Sequence, residues 1–439
     1  MTIEKEPPSL PLADPLSELA KPDLETMHKR CCEVSRWFDT NYRFYTWSMY
    51  IPTVLEIEVP PSGDAYIPRP ELDTPYADFL QSDYPLMIIK GGLGTGKSTW
   101  AIKLAHEANQ VPGQTLVLPY HSLVFGHNIA VEPDSNLAQY DNWSSRAWVN
   151  IFDDLGFARG SQGPLDIPKT LEELNQFLRQ NNTTLVVLFD AVEHFPSYKL
   201  PGSNLNDSLR DFFLNFNVMG RDLIYQNFQN IKLVAVCQQS EWHSDYSAAK
   251  ILLTPLYFKP PVKPGSSCAF SLNNMTDEQI AQITCRQCKV MQKDYKRFAL
   301  EPLILSSDEM GQIVRISAGN PLMAVLAAKY GPQTILPNIV KFRQKVIGEY
   351  GSDKPYKPPE VIELLFSLLQ KYQTFSSESG VPSTNLPSTG RDGDCLNLLG
   401  KIGLIKLIVA RDPYPQLLTQ IEPPSLAEYL QKNVHESDS

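Results

Sequence analysis

Between about residues 84 and 258, short apolar runs recur without polar alternation: Leu86-Met87-Ile88-Ile89, Thr115 to Leu118, Thr184 to Phe189, Ile231 to Val236 and Ile251 to Thr254. Unbroken apolar runs of this length suit strands buried on both faces of a parallel sheet. The stretches between them, near 97–108, 143–155, 169–180 and 205–227, carry helical periodicity. Strand and helix in alternation predict a doubly wound α/β domain.

The pattern changes after the proline-rich break Lys259-Pro260-Pro261-Val262-Lys263-Pro264. Thr276 and Gln279 have the spacing of a capping box that opens a helix at Asp277. A further helix is expected over Ser307 to Ser317, ended by Gly319 in the left-handed conformation and followed by one that Pro321 opens. A second break at 351–359 precedes a last unit with helical patterns at Val361 to Leu369 and Cys395 to Leu399. There the apolar runs 404–409 and 416–419 are set to pair as a hairpin across 410–415. At the other end, the proline-rich residues 1–20 read as a disordered tail, and the aromatic-rich stretch 22–50 as a short helical region docked on the main body. The expected boundaries are 1–65 for tail and aromatic region, 66–265 for the core, 266–350 for a helical lid and 351–439 for the last unit.

Composition narrows the class. The chain has 439 residues, 42% hydrophobic and 20% charged, enough for more than one packed core. A net charge of -10 disfavours a uniformly basic nucleic-acid coat. Seven sparse cysteines read as reduced thiols of an intracellular protein, cytoplasmic or nuclear. Cys285-Arg286-Gln287-Cys288 falls on a helical pattern with no second pair downstream, so helix thiols are favoured over zinc. Neither a signal peptide nor a membrane span is expected.

The chemistry concentrates after the first apolar run. Gly91-Gly92-Leu93-Gly94-Thr95-Gly96-Lys97-Ser98-Thr99 fits G-x-x-x-x-G-K-[ST], between a strand and a helix. Glycines let the backbone wrap phosphates with its N–H groups inward, and the following helix aims its positive end at the same oxygens. Lys97 is assigned to the β- and γ-phosphates and the Ser98 hydroxyl to magnesium. The apolar run 185–189 ends in Asp190, a second candidate for the metal. Many P-loop ATPases carry an acid directly after that residue; here the position is Ala191. Either Glu193 substitutes or hydrolysis is slow. At the end of the fourth run Gln238 is a candidate for the γ-phosphate or the attacking water, with a polar loop as the plain alternative.

Taken together, these motifs resemble the STAND branch of AAA-related ATPases, near the origin-recognition type. Tyr66-Ile67-Pro68-Arg69-Pro70-Glu71 is similar to the segment that this group places beside the adenine, with Pro68 where a glycine is usual; only Arg69 carries over. Phe270 to Glu278 looks like the start of the group's helical lid. Gly319-Asn320-Pro321-Leu322 resembles its Gly-x-Pro-Leu, which puts Pro321 on the base side of the nucleotide. Crinkler-type effectors and retrotransposon hot-spot proteins have a similar layout. The resemblance implies an α/β P-loop NTPase core with a parallel sheet, followed by a helical lid and a winged-helix domain at 351–439. It implies ATP or ADP with Mg2+ as cofactors and an unknown protein partner, and it leaves open whether a nucleotide-dependent oligomer forms.

Three functions stay open: a slow ATP-hydrolysing STAND-type switch governing a protein–protein interaction, a DNA-associated AAA-type ATPase, and a scaffold around a structural nucleotide. The acidic charge makes DNA the less favoured partner. Between 351 and 439 acids outnumber bases, which opposes phosphate contacts.

Overall fold

The computed structural model describes residues 22–43, 67–92, 94–110, 114–129, 143–157, 165–192, 206–238, 256–258, 269–297, 305–330, 381–382, 405–410 and 416–421. The tail, the 57–65 linker, the apolar run 251–254 and the helical patterns at 361–369 and 395–399 lie outside these residues.

Five strands form one parallel sheet: β1 (Leu86–Gly91), β2 (Thr115–His121), β3 (Thr184–Asp190), β4 (Ile231–Gln238) and β5 (Ala269–Leu272), in the order β2-β3-β4-β1-β5. Their lack of polar alternation has the expected cause, since both faces are covered. Alternate residues divide between two cores. Leu116, Leu118, Leu185, Val187, Leu233 and Ala235 face one layer, and Val117, Val186, Leu188, Val234 and Val236 face the other.

The first layer is built on α5 (Trp143–Leu155), α6 (Ile167–Gln180) and α7 (Asn206–Tyr225). Asp166 opens α6 by accepting from the Lys169 N–H at 3.2 Å, and Pro168 sits in the first turn where its missing N–H costs nothing. The second layer is α2 (Pro70–Gln81) and α3 (Lys97–Gln110), joined edge-to-face by Tyr76 and Trp100 at 5.6 Å. A short α4 (Ser122–Ile129) continues from β2.

At the sheet's β2 edge lies α1 (Leu24–Arg43), which packs on β2, α3 and α5 and so touches elements of both layers. The buried Asn109 side chain fastens it: its amide donates to Ser35 Oγ, Cys31 O and Val117 O, while its oxygen accepts from the Val117 N–H at 3.0 Å. Of the docked helical region expected at 22–50, Leu24–Arg43 is helix, and 44–50 lie outside the described residues.

The lid comprises α8 (Asp277–Arg297), α9 (Ser307–Ser317) and α10 (Pro321–Tyr330), packed on one another. The Thr276/Gln279 capping box forms as read, and Ser306 with Glu309 makes a second one before α9. The last described residues form a small antiparallel sheet, β6 (Val381–Pro382), β8 (Gln416–Ile421) and β7 (Ile405–Ala410), in which β7 and β8 are the expected hairpin. No described helix is long and apolar enough to cross a membrane.

Sheet composition departs from expectation in one place. The edge strand on the far side of β1 from β4 is 269–272, which is none of the five apolar runs, and it carries the core sheet past residue 265. Its four residues are too few to stand out by pattern, and pairing with β1 is what makes them a strand.

Candidate nucleotide-binding site

The site forms at the carboxyl ends of the strands, where β1 gives way to α3. The turn between them needs φ of 72° at Gly94 and 94° at Gly96, a region closed to most side chains. Thr95 closes the loop on itself, its hydroxyl donating to Gly92 O at 2.9 Å. Lys97 heads α3 and its ammonium donates to Gly91 O at 3.0 Å and Gly92 O at 2.8 Å, so it lies along the loop itself. Ser98 and Thr99 follow in the first turn, both half-buried. Leu93 lies outside the described residues.

Asp190 ends β3, with its carboxylate buried. Strand alternation from Val186 and Leu188 puts it on the α3 side of the sheet, the side of the phosphate loop. Ser122 Oγ donates to its carbonyl at 2.8 Å, tying the start of α4 to the strand tip. Ala191 then turns the chain with φ of 54°, a left-handed conformation that a β-carbon disfavours. Glu193 is outside the described residues. β4 runs between β1 and β3, and Gln238 pairs in register with Gly91, so its backbone lies between the loop and the Asp190 strand.

The lid reaches the loop through α10. Asn320 Oδ1 accepts from the N–H groups of Leu322 at 3.0 Å and Met323 at 3.3 Å, capping that helix. The Leu322 N–H also donates to Gly94 O at 3.2 Å. A β-carbon on Gly94 would sit 2.6 Å from Asn320 Oδ1 and 2.7 Å from Leu322 Cβ, and one on Gly96 would be 3.8 Å from Pro321 Cγ. Pro321 and the loop are therefore neighbours. Ala318 and Gly319 turn the chain with φ of 45° and 77°, and the Met275 N–H donates to Gly319 O at 2.7 Å. Arg315, on α9, is exposed and folds back on Gly311 O.

Arg69 is buried where the segment before α2 meets loop and lid. Nε contacts Glu71 Oε1 at 2.7 Å, Nη1 donates to Thr95 O at 3.0 Å, and Nη2 donates to Asn273 O. Asp73 supports this corner, accepting from the Arg69 N–H at 3.2 Å and from Trp100 Nε1 at 3.1 Å. Sequence reading missed Asp73 and Asn273. An acid in the first turn after Pro70 is a helix-opening signal for Asp73, whereas Asn273 acts through its carbonyl and leaves no signal.

The arrangement fits a nucleotide. A loop with no room for a β-carbon at Gly91 or Gly94, a helix amino terminus and an adjoining lysine form an anion cradle. Ser98 and Asp190 are the residues that would hold Mg2+. Among the described residues no group of three or more His, Cys, Asp or Glu could hold a metal. Magnesium bound with phosphates needs only one or two protein ligands and takes the rest from phosphate and water.

No family model matches the sequence, and no curated protein does. Solved structures of similar arrangement include Cdc6p from Pyrobaculum aerophilum, with 14% identity over 88% of this chain and 98% of that one, at a TM-score of 0.36. The ORC2 protein of Aeropyrum pernix in its ADPNP–ADP complexes has 14% identity over 89% and 98%, at 0.37. AMPPCP-bound DnaA from Aquifex aeolicus has 10% identity over 85% and 90%, at 0.30. At these scores the likenesses carry no argument about function, and the strand, loop and helix described above stand on this chain's own geometry.

Proposed function

We propose that this chain is an ATP-binding AAA-type ATPase whose helical lid responds to the nucleotide. The observation that carries this reading is the glycine-shaped loop between β1 and α3, with Asn320-Pro321-Leu322 of the lid seated against it. Lys97 would exchange its contacts to Gly91 and Gly92 for the β- and γ-phosphates of ATP, or the β-phosphate of ADP. Ser98 and Asp190 would hold Mg2+, which neutralises phosphate charge when bound. Ala191 stands where a water-polarising acid is common, which supports slow turnover, with Glu193 and Gln238 as candidates to position the water. Pro321 and Arg69 remain candidates for the base side.

The narrower reading as a STAND-type switch that controls a protein partner gains no support from the structures compared. The DNA-associated ATPase is kept as the second reading; an Aeropyrum pernix ORC1 protein in complex with DNA is a further structure of similar arrangement. Calorimetric titration of ATP·Mg into the full chain and its Lys97→Ala variant tests the central reading. A large loss of affinity with unchanged melting is expected, and equal affinity would sink it. Turnover measured with and without duplex DNA then separates the two finer readings: stimulation supports the DNA-associated ATPase, and indifference to DNA counts against it.

A further inference from the structure

We propose that Arg69 is a positioning residue: a strut that makes the shape of the phosphate loop and the placement of the lid depend on each other. The inference rests on the nucleotide-binding reading for its purpose, though not for its geometry. Arg69 is 2% exposed, and each of its three guanidinium nitrogens is engaged by a different piece of backbone or side chain. Nη1 holds Thr95 O inside the loop, Nη2 holds Asn273 O just after β5 and before the lid, and Nε is set by Glu71.

The planar fork fixes the angle between those contacts, which a flexible ammonium cannot do. Thr95 and Asn273 are 178 positions apart in sequence (273 − 95) but follow the paired strands β1 and β5, so this one side chain ties together the segments that leave two neighbouring strand ends. Both ends are otherwise committed. Thr95 is bonded to Gly92 within the loop, and Asn274 and Met275 are bonded to Ala318 and Gly319 at the foot of α10. A loop that reshapes around phosphates therefore moves Thr95 O, and the fork carries the displacement to the turn on which the lid is hung. The lid meets the loop a second time at Gly94 and Leu322. Loop, strut and lid thus form a closed ring of contacts, in which Arg69 is the side-chain link.

The experiment is hydrogen exchange on the full chain for wild type, Arg69→Met and Arg69→Lys, read at 92–98, at 271–277 and, as an internal standard, at 185–189. Losing charge-assisted bonds at both carbonyls should raise exchange at 92–98 and 271–277 together by about tenfold or more, with 185–189 unchanged. Arg69→Lys should fail to restore both segments at once. With ATP·Mg at concentrations that saturate each protein, wild type should show slowed exchange at both segments and Arg69→Met at 92–98 alone. A rise at only one segment in Arg69→Met, or a nucleotide response at 271–277 that survives in that variant, overturns the strut. So does wild-type exchange at both segments accompanied by lost discrimination between ATP and GTP, which would make Arg69 a base contact instead. If Arg69→Met does not melt cooperatively, Arg69→Lys decides: looser exchange at one or both segments supports the strut, and wild-type exchange at both overturns it. A wild-type chain that binds no nucleotide removes the proposed function while leaving the first comparison valid.

Discussion

Gly94 has room for little beyond its hydrogens, because the lid's Asn320 and Leu322 stand where a β-carbon would go. Gly94→Ala combines that clash with a left-handed φ, worth roughly 1–2 kcal/mol by itself. ATP affinity should fall by about tenfold or more, in line with 1.4 kcal/mol per decade, as read by calorimetry. Lys232 is a different kind of single-residue constraint. It is 1% exposed, lies over the Phe79 ring, and donates to the carbonyls of Ser82 and Tyr84 that close α2. Burial pushes its pKa down to about 8 from 10.5, with Asp83 opposing. Between those values the unfolded chain holds more protons than the native one, so this residue makes stability rise with pH across that window. The gain is at most about 3 kcal/mol, is complete above the unfolded value, and is absent below about pH 8. Lys232→Met should flatten the slope of melting temperature against pH between about 8 and 10.5, and a slope unchanged from wild type would contradict the assignment.

Among elements, those with a strong period and a marked end were legible. α5, α9 and the start of α8 fall where the pattern and caps put them, because Thr276 with Gln279 is a signal written in side chains. α2 was not read as a helix, since Tyr66 to Leu72 drew attention as a motif and Pro75 interrupts the pattern. α4 is only eight residues long and follows β2 without a break. The site divides the same way. The glycines, Lys97 and Asp190 announce themselves by type and spacing, whereas the bonds of Arg69 end on backbone carbonyls that any residue could supply. Asn109 was equally silent, being one asparagine at the end of a helix. Asn109→Ala removes the side-chain bonds that fasten α1, and should cost roughly 2–4 kcal/mol for buried groups left unmatched. Limited proteolysis should then cut within 24–43 faster than in wild type, and unchanged cleavage there would show that apolar contact alone holds the helix.

Across the whole molecule, on the proposed reading, Asp190 and Ala191 would decide what happens to a bound triphosphate. Asp190→Asn should impair magnesium-dependent binding or turnover more than Glu193→Gln does, measured as phosphate release by the full chain. The reverse order would exchange their roles. The same view of the molecule bears on α1. Its partners on Asn109 lie 74 to 78 positions further along the chain. During synthesis α1 therefore leaves the ribosome several seconds before the Asn109 and β2 on which it docks exist, at rates of about 5–20 residues per second. The β2 flank of the sheet is sealed by the oldest part of the described chain, on its return, and not by whatever is being made at that moment. A folding intermediate lacking this closure would expose β2 as a bare edge, open to the nearest extended chain, so the time between β2 and the return of α1 is when a crowded cell has most opportunity to divert this protein into aggregates.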